Sequence, residues 1–69
     1  MKIVHCREFF ATKHEAIDFK KQHGGTLYSG AHKSKTRSNF MTEVFIAGRS
    51  IDFAEQHPYC VAWNESEED

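Results

Sequence analysis

The stretch that decides the fold runs over residues 12–29, TKHEAIDFKKQHGGTLYS. Thr12 is followed three residues later by Glu15, which is the capping-box pattern that begins an α-helix. Two consecutive glycines at 24–25 end this helix, because glycine adopts the left-handed conformation beyond a helix C-terminus without steric cost. The residues that follow at once, 26–29, have the composition of a strand. The stretch therefore predicts a helix joined to a strand by a short turn.

Elements on either side extend this pattern. Residues 2–8 contain a β-branched pair and predict a first strand, so the first half of the chain forms a βαβ unit with a right-handed crossover. Near the other end, Ser50 is positioned to cap a short helix over 51–57, and Pro58 ends it. Residues 59–63, YCVAW, predict a final strand.

The segment 39–47, NFMTEVFIA, fits two structures. Its β-branched and aromatic composition favours a strand, whereas the spacing of its apolar residues favours a helix. With a strand, the order is βαββαβ, a ferredoxin-like α+β fold with a four-stranded sheet and both helices on one face. With a helix, the order is βαβααβ with a three-stranded sheet. The sequence leaves both alternatives open.

Length and charge define a single small domain followed by a tail. Sixty-nine residues with 39% apolar content are enough for one small core. The net charge of −1 hides an asymmetry, because residues 1–63 carry nine cations against six anions while residues 64–69 carry four acids. We therefore expect a mildly basic α+β domain over 1–63 and an acidic, disordered tail over 64–69.

Cysteine usage and hydropathy indicate the compartment. Cys6 and Cys60 lie 54 positions apart in apolar segments, a spacing that favours free, buried thiols in a reducing cytoplasm. A bridge between them would require their two segments to pair. No apolar run approaches the length of a membrane span, and no signal-peptide core is present. We expect a cytoplasmic protein with no membrane partner.

A cationic segment follows the second predicted strand. Residues 32–38, HKSKTRS, place Lys33, Lys35 and Arg37 at every second position. In an extended backbone these three side chains would form one row, with hydroxyl residues between them. Such a row could bind phosphates of a nucleic acid, together with Arg49. The competing interpretation is an ordinary solvated loop.

Aromatic residues supply a second candidate surface. Tyr59, Val61 and Trp63 alternate along the last strand and therefore share one face of the sheet, and Tyr28 of the second strand is a candidate to join them. In a ferredoxin-like sheet the face away from the helices is open, so these rings could contact a partner. The predicted partner-binding residues are Lys33, Lys35, Arg37, Tyr28, Tyr59 and Trp63.

The sequence does not favour catalysis or a cofactor. Five histidines and two cysteines are present, but His5 and Cys6 are adjacent in a strand and face opposite sides of it, and no Cys-x-x-Cys pair occurs. Both cysteines lie in apolar surroundings, where thiols are usually inert. We predict no metal, no cofactor and no catalytic residue.

These expectations combine into a small non-enzymatic binding protein. We interpret the chain as a protein–protein interaction module that inhibits or regulates a larger enzyme, with nucleic-acid-processing enzymes among the candidates. Phage and mobile elements often encode modules of this kind. A homodimer is an open alternative, because a core this small leaves aromatic surface to cover. The alternative function is a nucleic-acid-binding accessory protein using Lys33, Lys35, Arg37 and Arg49.

Overall fold

The computed structural model describes residues 1–67 and shows a small α+β protein. Its elements in chain order are β1 (Lys2–Phe10), α1 (Lys13–His23), β2 (Thr26–Ser29), α2 (Arg37–Ile46), α3 (Ile51–Gln56) and β3 (Tyr59–Glu67). The order is therefore βαβααβ, the three-stranded alternative.

The three strands form one antiparallel sheet with the order β1-β3-β2. Both β1 and β2 run antiparallel to β3, so they are parallel to each other with β3 inserted between them. The first three elements are thus a split βαβ unit.

Local hydrogen bonds explain where two of the helices begin and end. The Thr12 hydroxyl accepts from the Glu15 N–H at 3.3 Å, and the N–H of Gly24, which has φ of 74°, donates to the Lys20 carbonyl at 2.7 Å. The Ser50 hydroxyl caps α3 in the same way, accepting from the Phe53 N–H at 3.1 Å. The predicted boundaries of α1 and the predicted capping of α3 are confirmed.

The ambiguous segment 39–47 is helical, so the four-stranded ferredoxin-like sheet is not formed. In α2, Phe40 and Val44 are buried and Met41 is half-buried against the same core. A strand would direct Met41 to the opposite side from Phe40 and Val44, whereas a helix places all three on one side. Burial against the sheet therefore decides between the two patterns.

Helices cover both faces of the sheet, which corrects the expectation of one open face. Cys60 of β3 lies in a core with Phe40 and Val44 of α2, so α2 and α3 pack on the face that Cys60 occupies. Trp63, three residues further along β3, points to the other face and contacts Phe19 of α1 with ring centroids 5.0 Å apart. The result is three layers, with α1 on one side and α2 and α3 on the other.

The acidic segment is part of the sheet over its described residues. Residues 64–67 continue β3 and pair with the beginning of β1, with Lys2 opposite Glu67. The side chains of His5 and Asn64 are joined at 2.7 Å. The expectation of a disordered tail from residue 64 is therefore wrong for 64–67, because β1 supplies a backbone partner that the composition of the segment does not reveal. Residues 68–69 lie outside the described residues.

The register also settles the relation between the two cysteines. Cys6 lies opposite Trp63 and Cys60 lies opposite Phe9. Their segments pair, but Trp63 and Cys60 point to opposite faces, so the two thiols do too. Both cysteines are free, but of the two thiols predicted to be buried only Cys60 is, while Cys6 is half-buried.

Candidate functional site

The cationic segment is a pair of turns rather than an extended row. Residues 32–36 form turns, and Lys33 has a left-handed backbone with φ of 68°. Lys35 lies in the second turn, and Arg37 is the first residue of α2. The three cations therefore do not repeat at the spacing of an extended strand, and the phosphate-row geometry is not formed.

The hydroxyl groups between the cations hold the turns together. The Ser29 N–H donates to Thr36 Oγ1 at 2.7 Å, and the Thr36 N–H donates to Ser34 Oγ at 3.2 Å. These contacts tie the end of β2 to the beginning of α2. The hydroxyls of Ser34 and Thr36 thus have structural partners within the chain.

Arg37 is fixed at the junction of the turns and α2. Its Nη1 donates to the Gly30 carbonyl at 2.6 Å. A Cβ at Gly30 would lie 2.5 Å from the ring of Phe40, so only glycine lets the chain pass this closely over the core. The guanidinium has further donors that this single contact does not use.

An open depression lies beside Arg37 on the outer side of α2. Its volume is about 600 Å³, and Met41 and Phe45, one helical turn apart, supply its apolar side chains. Lys35 and Arg37 supply its cations. Phe45 is 66% exposed, which is unusual for a side chain of this size.

A smaller cavity of about 190 Å³ adjoins this depression and shares Arg37 and Met41 with it. Phe40, Ile51 and Pro58 contribute apolar atoms, and Ile51 is 59% exposed. We call the two together the α2 surface, defined by Lys35, Arg37, Met41, Phe45 and Ile51. Its apolar side chains meet at Met41, Lys35 and Arg37 supply two cations, and Glu55 adds one carboxylate to the lining of the smaller cavity.

The three predicted aromatic contact residues do not form one surface. Tyr28 lies opposite Cys60 in the register, so it packs under α2, on the opposite face from Tyr59 and Trp63. Trp63 is in contact with the rings of Phe19 and His23 of α1. The expectation that Tyr28 joins the other two was wrong, because the register of β2 against β3 fixes its face.

The predicted cations are also separated. Arg49 lies beyond the C-terminus of α2, where its guanidinium stands 4.8 Å from the centroid of the Phe53 ring. The ten-residue helix α2, about 15 Å long, separates it from Lys33 and Lys35. The four cations of the nucleic-acid alternative therefore do not form one stripe.

The acidic end of β3 is even farther from the cationic turns. Tyr59 pairs with Ser29, directly before the turns, while Glu67 lies eight residues further along β3. At about 3.3 Å per residue, the separation is about 26 Å. Glu65 and Glu67 are therefore not positioned to mask Lys33 and Lys35 within one chain.

A polar cleft of about 550 Å³ lies at the other end of α2. Arg7 Nε donates to Glu43 Oε2 at 2.7 Å across it, and both side chains are about four-fifths buried. His5 and Tyr28 also line it. The ion pair joins β1 to α2, so its evident role is to fasten these elements together.

Cys60 lies behind this ion pair, and its thiol has low reactivity. Burial raises the pKa of its thiol from 9.0 to about 12, and the Glu43 carboxylate adds to the effect while Arg7 opposes it. A thiol in this state remains protonated near neutral pH and is a poor nucleophile. In the described part of the chain, no three His, Cys, Asp or Glu side chains are grouped as metal ligands.

Comparison of the chain with protein-family models, with curated proteins and with solved structures finds no match. Among residues 1–67, no helix has both the length and the apolar character that crossing a membrane requires.

Sequence reasoning missed the apolar part of the α2 surface. Helical periodicity places Phe40, Met41, Val44 and Phe45 on one side of the segment, and all four then look like core residues. Only Phe40 and Val44 are fully buried. The width of this apolar stripe, together with the neighbouring cations, was the signal that could have indicated an exposed contact surface.

Proposed function

We propose that this protein is a non-enzymatic protein-binding module that regulates or inhibits a larger enzyme, and that its partner docks on the α2 surface. The observation that carries the proposal is the exposed Phe45 beside Met41, in one depression with Lys35 and Arg37. Large apolar side chains exposed next to each other are typical of protein interfaces.

The occupant we infer is an amphipathic segment of the partner that carries carboxylates. Its apolar side chains would bury Phe45 and Ile51 and fill the adjoining cavity. Its carboxylates would lie against Lys35 and the unused donors of Arg37, since opposite charges across an interface set orientation and increase the rate of association. Aromatic and arginine side chains are also the residues that most often dominate binding energy.

Neighbouring features support a protein partner over a nucleic acid. A phosphate-binding surface needs several cations along one path, and here Arg49 is separated from Lys33 and Lys35 by the length of α2. The hydroxyls that could assist are bound within the turns. An apolar surface with two cations at its end fits a mixed protein segment better than a phosphate backbone.

Affinity capture from an extract of the native host tests the proposal. The tagged wild-type chain is compared with the double variant Phe45→Ser/Lys35→Glu and with a control, Ile46→Ser/Lys21→Glu. Ile46 is a suitable control because it is 60% exposed on the same helix but lines the polar cleft instead, and Lys21 lies on α1.

We expect the wild type and the control to retain the same stoichiometric protein, and the Phe45→Ser/Lys35→Glu variant to bind it at least about tenfold more weakly. Deletion of an acidic segment in the recovered partner should have a similar effect. Equal capture by both variants, or capture of no protein, would overturn the proposal. Captured material that is released by nuclease treatment would favour the nucleic-acid alternative instead.

A further inference from the structure

β1 is an edge strand whose outer side has no partner strand among residues 1–67. Its nine residues pair with β3 in an unbroken register, without a bulge. It also contains no proline. Natural proteins usually protect such an edge, because its free N–H and C=O groups can pair with another strand.

The register shows which backbone groups face outward. The Ala62 carbonyl oxygen lies against Gly25, which directly precedes β2, so the backbone groups of Ala62 point toward β2. Arg7 is opposite Ala62 in β1. Because the backbone groups of Ala62 point toward β2, Arg7 and Ala62 form a non-hydrogen-bonded pair. In such a pair both residues direct their N–H and C=O groups away from each other.

The outward row therefore contains Arg7 and the residues that share its alternation, which are Ile3, His5 and Phe9. Four residues with free donors and acceptors on a straight edge can accept a strand of matching length. The side-chain bond between His5 and Asn64 does not use these backbone groups.

We propose that the occupant is β1 of a second copy, paired antiparallel about a two-fold axis through His5. In this register Ile3 and Arg7 exchange backbone hydrogen bonds with Arg7 and Ile3 of the other copy. Lys2 then lies opposite Glu8 of the other copy, and this contact occurs twice. Val4 likewise lies opposite Cys6, also twice.

Charge complementarity selects this register. A two-fold axis perpendicular to the sheet pairs only residues whose side chains lie on the same face. The pairing can therefore shift only by two residues at a time, and a shift of two moves the axis from His5 to Cys6. That arrangement sets Lys2 opposite Phe10 and Glu8 opposite Val4. The His5 register instead joins opposite charges and brings the half-buried Val4 and Cys6 together, which favours it.

The resulting sheet has six strands in the order β2-β3-β1-β1-β3-β2. The α2 surface stays uncovered, because α2 packs mainly over β2 and β3. The dimer would therefore present two copies of that surface. This inference does not depend on the α2 surface being a binding site.

Sedimentation equilibrium of the whole chain tests the dimer, with the variant Ile3→Pro and the control Ile3→Thr. Proline at position 3 removes an outward N–H that does not bond to β3. Edge strands tolerate proline at positions whose N–H faces away from the sheet. Threonine keeps the N–H. We expect a dimer for the wild type and Ile3→Thr, and at least a tenfold weaker dimer for Ile3→Pro with an unchanged circular dichroism spectrum.

A monomeric wild type at all soluble concentrations would overturn the proposal, and so would an Ile3→Pro chain that is folded and dimerises as well as the wild type. If Ile3→Pro fails to fold, Glu8→Lys provides the second variant. It places two like charges opposite each other in the dimer, and we expect at least a fivefold weaker association. Undiminished association of a folded Glu8→Lys chain would count against the register.

Disulfide trapping tests the register directly. A Val4→Cys chain carries its new thiol opposite Cys6 of the other copy, so mild oxidation should give a covalent dimer on a non-reducing gel. The wild type should remain uncrosslinked, because its Cys6 thiols are then offset along the shared edge. Wild-type crosslinking through Cys6 would show the Cys6 register and overturn the one proposed.

Discussion

The two faces of the sheet are packed in different ways. On the α2 and α3 face, Phe40, Val44 and Cys60 are each at most 1% exposed and form a closed core. On the α1 face, Ala16 is the only buried residue that α1 contributes. Val61 of β3 is also fully buried on that face. Around these two residues the face is packed by contacts among partly exposed rings, those of Phe10, Phe19, His23 and Trp63.

This difference indicates where the stability of the protein lies. Free energy from apolar burial scales with the area removed from water, so a fully enclosed side chain contributes more than a partly exposed ring. We therefore expect the α2 and α3 face to dominate the free energy of unfolding. The α1 layer should respond more locally to substitution.

The largest expected effect is that of Phe40→Ala. It removes an enclosed ring and should lower the free energy of unfolding by about 3–5 kcal/mol. The matched change on the other face, Phe19→Ala, should cost about 1–2 kcal/mol, because that ring is only partly buried. Urea denaturation followed by circular dichroism measures both.

Phe45→Ala is the control for this pair, since its ring belongs to the same helix as Phe40 but is largely exposed. Its free energy of unfolding should change by no more than about 0.5 kcal/mol. A loss for Phe19→Ala that equals the loss for Phe40→Ala would contradict the difference between the faces.

An intermediate effect is expected from Cys60 at alkaline pH. The pKa of Cys60 is raised to about 12 in the folded protein, whereas the unfolded chain loses this proton near the ordinary value of 9.0. The stability that Cys60 contributes is complete below pH 9 and is lost as the pH rises toward 12. In that window it should fall by up to about 1.4 kcal/mol per pH unit.

Comparison of the Cys60→Ala and Cys6→Ala variants isolates this contribution, because other groups titrate in the same range in both. We expect the slope of stability against pH to be flatter for Cys60→Ala than for Cys6→Ala. Native-state alkylation should also modify Cys6, which is half-buried on the α1 face, before Cys60. Equal slopes in the two variants would show that Cys60 is not the group responsible.

The smallest effect concerns the caps of the two layers. Thr12→Ala removes the acceptor for the Glu15 N–H, and Ser50→Ala does the same for the Phe53 N–H. Each should cost about 1 kcal/mol. Amide hydrogen exchange should be faster in the first turn of α1 for Thr12→Ala. The amides of Val44 and Val61 should exchange no faster than the change in global stability accounts for.

The replacement Thr12→Ser keeps the hydroxyl acceptor and serves as the control for the cap. It should leave the exchange of the first turn of α1 close to that of the wild type. Acceleration confined to α2 in the Thr12→Ala variant would argue that the two layers are not locally independent.

Much of the secondary structure could be predicted, because its determinants are neighbours in the chain. The capping box at Thr12 and Glu15 and the glycines at 24–25 act through hydrogen bonds and backbone conformations within a few residues. They defined α1 and the beginning of β2. The same applies to Ser50 at the start of α3.

The candidate site was less predictable, because it depends on contacts between distant residues. Lys33, Lys35 and Arg37 alternate in the sequence, but two hydrogen bonds between Ser29 and Thr36 fold the segment into turns. The ion pair between Arg7 and Glu43 joins residues 36 positions apart, and no local sequence pattern predicts it.

The sequence by itself determined the α+β class, α1 and its caps, and the order of the first three elements. Only the tertiary structure decided that 39–47 is a helix, that both faces of the sheet are covered, and that residues 64–67 extend β3. The reason is physical: caps and turns are local, whereas a segment that fits both helix and strand adopts the one that buries Phe40, Met41 and Val44 together. Likewise, an acidic segment becomes a strand only when a partner such as β1 satisfies its backbone.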